Sequence, residues 1–98
     1  MASFTSACLQ VSGSISVTGN DVHASTVDNG VVTCNSDWGW HEDGGFIYLG
    51  CLPNYRYSFR ADPPDIGYYN NPSNGFTFSQ NWGGSHQSYY WQLSLYGC

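Results

Sequence analysis

Side chains able to do chemistry are scarce in this chain. The densest group lies in DWGWHEDGGFIY, residues 37–48, where His41, Glu42 and Asp43 follow two tryptophans. General acid–base work needs two titratable groups within reach of one proton. Glu42 is the only glutamate, so it cannot be half of a glutamate pair, and no aspartate spacing marks a partner. His23, His41 and His86 are dispersed, without the spacing of a zinc site. Asp62 and Asp65 bracket two prolines, but calcium needs six or more oxygens and nothing nearby supplies them. GGSH at 83–86 lacks the G-x-S-x-G of a nucleophile elbow. The sequence therefore predicts no catalytic residue, no metal site and no cofactor.

What it offers instead is rings and amides. Aromatics make up 17% of the residues and charged side chains only 9%, far below the usual quarter. Solubility must rest on Ser, Asn, Thr, Gln, Gly and tyrosine hydroxyls. Rigid rings beside adaptable amides suit sugars, whose C–H faces stack on rings and whose hydroxyls pair with amides and carboxylates. Two stretches carry that mixture: Trp40 with Asp43, and Tyr68-Tyr69-Asn70-Asn71. Trp82 and His86 join them if their loop shares the same end of the domain. These eight residues are the candidate ligand-binding set.

Charge excludes other partners. Two arginines, no lysine and seven acidic residues give a formal charge of -5. Phosphate backbones and anionic lipid surfaces need basic patches, so neither nucleic acid nor a membrane surface is an expected partner. No apolar run approaches the roughly 20 residues of a membrane-spanning helix. Asn71 is followed by Pro72, which removes the one apparent glycosylation sequon.

The elements that must position these residues are strands. No segment shows a helical apolar period, whereas alternation is widespread. Leu9, Val11, Ile15 and Val17 share one parity, with Gln10, Ser12, Ser14 and Ser16 on the other. Asp28-Asn29-Gly30 is a strong hairpin signal. Val32, Cys34, Ser36, Trp38 and Trp40 share one parity, which places Trp38 in the core and Trp40 partly buried at a strand end. Pro53-Asn54 fits the centre of a tight turn into Tyr55–Arg60. ADPPDIGYYNNPSNG, residues 61–75, holds three prolines and two glycines and reads as a long loop. FTFSQNW and SYYWQLSLY then form the last strands, joined by residues 83–87. The expected architecture is all-β, an antiparallel β-sandwich or small barrel of about seven short strands, in one domain spanning residues 1–98.

Four cysteines in a short chain predict two disulfides and an oxidising, extracellular setting. Met1-Ala2-Ser3 reads as a start placed on a mature secreted sequence. Cys34 and Cys51 lie nearly opposite each other across a hairpin centred near Asp43, so the expected pairs are Cys34–Cys51 and Cys8–Cys98. Cys8–Cys34 with Cys51–Cys98 is the alternative.

Several pieces resemble the cyanovirin-N homology family, small mannose-type lectins, many of them fungal. They are Phe4…Cys8, ISVTGNDVHAS at 15–25, YLGCLPN at 48–54 and NGFTFSQN at 74–81, about a third of the chain. Thr26 stands where that family has a cysteine, and no binding residue is carried over. The resemblance implies a secreted lectin without catalysis, whose partner is a glycan or a cell-surface glycoprotein. Two other readings remain. One is a fungal-type effector, elicitor or immunomodulatory protein that binds a host protein. The other is a small secreted ribonuclease-like hydrolase using His41, Glu42 and Arg56.

Overall fold

The structure is a computed structural model that describes residues 8–85 and 87–95. Among them are nine strands and no helix: β1 (Leu9–Ser16), β2 (Asp21–Asp28), β3 (Val31–Asp43), β4 (Phe46–Cys51), β5 (Arg56–Arg60), β6 (Ile66–Asn70), β7 (Gly75–Ser79), β8 (Gly83–Ser85) and β9 (Ser88–Leu95). All belong to one antiparallel sheet, in the order β7-β6-β5-β4-β3-β2-β1-β9-β8. The first seven strands form a meander of hairpins. The β8–β9 hairpin then returns to pair with β1.

Turn chemistry sets the hairpins. Asn29 and Gly30 both take positive φ, as do Gly44 and Gly45, which suits two-residue connections between right-twisted strands. Asn54 also has positive φ, and the Tyr55 amide donates to the Leu52 carbonyl at 3.0 Å, so Pro53-Asn54 is the expected turn centre.

The sheet curls into a half-barrel with its core on the concave face. Leu9, Val11, Ile15, Val22, Ala24, Ile47, Leu49, Tyr57, Phe59, Tyr69 and Trp91 are buried there. The Trp91 ring on β9 lies 4.8 Å from Phe59 on β5, although five strand positions separate them in the sheet. Room for the indole comes from Gly13, where a Cβ would stand 2.8 Å from Trp91 Cε2 and 2.9 Å from the Ala24 methyl.

Two hydrogen-bond chains hold the curl. The Trp91 Nε1–H donates to the Tyr57 hydroxyl at 3.1 Å, and that hydroxyl donates to Gln80 Oε1. Gln80 Nε2 donates to the Pro64 carbonyl at 2.8 Å. The second chain ends on a carboxylate. Tyr69 donates to Asp28 Oδ2 at 2.8 Å, so its contact with Thr33 at 3.0 Å must be accepted. Thr33 has one hydroxyl proton, so its partner Thr26, at 2.7 Å, must donate to it.

Three expectations are corrected. The architecture is one curled sheet rather than a sandwich, because large rings on a single concave face fill the space a second layer would fill. The strands number nine rather than about seven, because residues 61–75 are not one loop. Prolines occupy only positions 63, 64 and 72, and Ile66–Asn70 between them is β6. A further short strand, β8, occupies 83–85. Trp38 is 48% exposed, not buried. Asn35 pairs with Gly50 and Trp40 with Leu49, so Ser36 to Gly39 bulge out of the ladder around Gly39 at positive φ.

The Cys34–Cys51 disulfide forms between directly paired residues of β3 and β4. Closing a loop with a sequence separation of 17 contributes about 3 kcal/mol in the chain-entropy account. It indicates an oxidising compartment. The expected Cys8–Cys98 pair involves Cys98, outside the described residues. Among the described residues no helix is long and apolar enough to cross a membrane.

Candidate functional site on the convex face

Residues directly opposite in an antiparallel ladder share a face. Starting from buried Phe59 and Ile47, the register assigns every neighbour. Asp43 pairs with Phe46 and Phe46 with Arg60, while His41 pairs with Tyr48 and Tyr48 with Ser58. Ser58 pairs with Tyr68, and Arg56 with Asn70. All of these side chains point to the convex side, away from the core.

Rings dominate this half of the face. His41 and Tyr48 stack with centroids 5.1 Å apart and planes 12° from parallel. Phe46 lies 5.6 Å from Tyr68, and the Arg60 guanidinium sits 5.9 Å above the Phe46 ring. Arg60 is also held by Asp65, Nε to Oδ1 3.0 Å. Ser58 is buried between the Tyr48 and Tyr68 strands. Both tyrosines therefore rise from rigid β-sheet, two strand spacings apart, about 10 Å.

Two hollows flank these rings. One, of about 470 Å³, is lined by His41, Asp43, Tyr48, Leu49, Tyr55 and Arg56. The other, of about 710 Å³, is lined by Asn54, Tyr55, Arg56, Asn70, Asn71 and Pro72. Tyr55 and Arg56 form the ridge common to both. Rings and a carboxylate lie on one side, and four amide or proline-bearing positions on the other. Asn71 is partly committed: its Nδ2 donates to Asp28 at 3.2 Å, and its Oδ1 accepts from the Ser73 and Asn74 amides.

The other half of the convex face differs. Ser12 is flanked by Ser25 and Gln92, and Ser14 by His23 and Tyr90. Hydroxyls and amides prevail there, with Tyr90 supplying the ring.

The structure thus places Asp43, Tyr68 and Asn70 from the candidate set on one face, with Asn71 beside them but its side chain turned to Asp28 on the core side. It separates the rest. Trp40 pairs with Leu49, which turns it to the concave side, where it packs half-buried on the core. Tyr69 is fully buried and cannot reach a ligand. Trp82 lies beside β8, its ring edge-on to Tyr89 at 5.3 Å. His86 lies outside the described residues. The ligand-binding set expected from the sequence left out Tyr48, Tyr55 and Asn54, and Arg56 figured only in the hydrolase reading. Alternation along 46–50 carried the signal for Tyr48, since Ile47 and Leu49 claim the core.

The hydrolase set does not converge on one face. Glu42 pairs with Ile47 and faces the concave side, whereas His41 and Arg56 face the convex side. Among the described residues, no three His, Cys, Asp or Glu side chains gather as metal ligands. No family model, no curated protein and no solved structure matches the chain.

Proposed function

We propose that the protein is a secreted carbohydrate-binding domain without catalysis that takes neutral glycans on the ring-bearing half of its convex face. The observation that carries this reading is the Tyr55–Arg56 ridge, which joins a hollow of rings and a carboxylate to a hollow of amides. Tyr48 and Tyr68 offer faces for stacking, and a spacing of about 10 Å suits alternate units of an extended glycan chain. Asp43, Asn54, Asn70 and Arg56 supply acceptors and donors for hydroxyls. The resemblance of residues 15–25 and 48–54 to cyanovirin-N homology lectins points the same way.

Stacking plus a few hydrogen bonds, each about 1 kcal/mol net, gives single-site affinities from about millimolar to micromolar. The test is a neutral glycan array at high protein concentration, followed by calorimetry on any ligand found. Tyr48→Ala and Tyr68→Ala should each weaken binding about tenfold, while Trp82→Ala should leave it unchanged. A silent array would end the lectin reading. The same exposed rings and Arg56 would then serve a host-protein interface, where tyrosine and arginine are the usual anchors.

A further inference from the structure

The sheet comes apart at one place. β2 and β3 pair only between Ser25↔Asn35 and Asp28↔Val31. Beyond that, Asp21–Ala24 pairs with β1 alone and Trp40–Asp43 with β4 alone. The Ser36–Gly39 bulge parts them. The Ala24 N–H, directed at β3, is met by Ser36 Oγ at 3.0 Å, so a side chain stands where a strand would. Backbone groups alternate along a strand, so the N–H and C=O of Val22 point the same way, into the opening.

A cavity of about 370 Å³ opens at this gap. Its floor includes Ile15, Val22 and Ile47, all buried core residues. Its rim carries the carboxylates Asp21, Glu42 and Asp62. Arg60 also reaches the rim, but Asp65 offsets it at 3.0 Å. Asp21 lies 3.2 Å from His23, and Asp62 accepts from the Tyr89 hydroxyl at 2.6 Å. Apolar floor, acidic rim and open strand edge are three different demands on one occupant. They are met by an extended segment with an apolar side chain between two cations.

We propose that this opening docks an extended basic peptide, which adds a strand to the edge of β2. One apolar side chain rests on the floor, the lysines or arginines beside it leave the added strand on its opposite face next to Asp21, and the Glu42 and Asp62 carboxylates add negative potential from the floor side. Main-chain hydrogen bonds give such strand addition its affinity, and the alternate side chains give it specificity. A second copy of this chain is a poor occupant, because it has no lysine and carries a formal charge of -5.

The test is an NMR titration of the intact protein with acetylated, amidated Lys-Val-Lys-Val-Lys. Amide shifts should concentrate at residues 21–24 and 40–47, and exchange of the Val22 amide should slow at least tenfold. Glu-Val-Glu-Val-Glu, Lys-Gly-Lys-Gly-Lys and the fully N-methylated lysine–valine peptide remove the charge, the apolar side chain and the donors in turn. Each should bind at least tenfold more weakly, and Glu42→Gln should weaken the parent peptide several-fold. Shifts centred on Tyr48 and Tyr68, equal binding by any control peptide, or no binding at all would overturn the proposal.

Discussion

Tyr68 and Tyr69 are neighbours on β6, yet they belong to different surfaces. Tyr69 is fully buried on the concave face, its hydroxyl fixed between Thr33 and Asp28. Tyr68 is 37% exposed on the convex face, held by Phe46 on one side and open on the other. The same contrast separates Tyr57 from Tyr48. Pleat alternation alone decides it. On one face the tyrosine hydroxyl ends a directional chain that fixes the curl, and the ring is core. On the other the ring lies partly exposed on the sheet surface and packs against neighbouring rings. Composition cannot distinguish these uses, which is why a tyrosine-rich sequence such as this one overstates its binding surface.

The difference should be largest in stability. Trp91 joins β9 to β5 through its ring and to Tyr57 through its Nε1–H. Trp91→Ala should cost about 3–5 kcal/mol, read as a fall in the denaturation midpoint. A loss below about 1 kcal/mol would mean that the curl does not depend on this contact. Tyr69→Phe keeps the ring and removes the proton given to Asp28. It leaves the Thr33 hydroxyl proton without its acceptor and removes one of the donors to Asp28 Oδ2, which Asn71 still meets, at a cost of about 1–3 kcal/mol. Tyr68→Phe, the matched change on the convex face, should be silent in the same denaturation experiment.

Alkaline titration separates the faces by charge. Burial drives the Tyr57 phenol well above its ordinary value of 10.0, with the Trp91 hydrogen bond opposing weakly. Tyr89 is also raised, first because its hydroxyl donates to Asp62. A folded pKa above the unfolded one means that stability is fully present below about pH 10. Above it the unfolded chain binds fewer protons, and the buried Tyr57 alone lowers stability by up to about 1.4 kcal/mol per pH unit. Unfolding should therefore set in on the alkaline side of pH 10. Tyrosinate absorbance should show Tyr57 ionising only with that unfolding. A smooth titration of all tyrosines before loss of the fold would contradict the buried chain.

How much of this was legible depended on where strands end. Leu9, Val11, Ile15 and Val17 announced a core face by parity, and the structure buries the first three but leaves Val17, past the end of β1, exposed. The Cys34–Cys51 pair was expected across a hairpin centred near Asp43; the turn lies at Gly44-Gly45, and the Ser36–Gly39 bulge shifts the register so that the two cysteines stand opposite. Trp38 failed because a bulge resets parity, and only Gly39 hinted at one. Tyr69 failed because prolines at 63, 64 and 72 made residues 61–75 read as loop, while five residues between them suffice for a strand. Arg56 was weighed only for hydrolysis, because its place on this face is spatial: it stands between Tyr55 and Asn70 only once β5 and β6 pair. The contact between β9 and β5 depends on curling of the whole sheet, which no local pattern encodes.

The smallest expected effect on stability is the most informative about function. Tyr68 has lost only part of its surface to the fold, its hydroxyl makes no hydrogen bond to the core among the described residues, and its ring lies on the sheet surface. Tyr68→Ala should therefore change stability by no more than about 0.5–1 kcal/mol, the range of surface substitutions and exposed cross-strand pairs. Tyr69→Ala, one residue along, should cost about 3–5 kcal/mol, as for other large buried rings. Measured side by side in urea, the pair isolates the face from the residue type. If Tyr68→Ala proves as costly as Tyr69→Ala, the ring is structural, and the convex face is a packed surface rather than a platform. If it is silent in urea yet abolishes glycan binding, Tyr68 is held by the fold for a ligand.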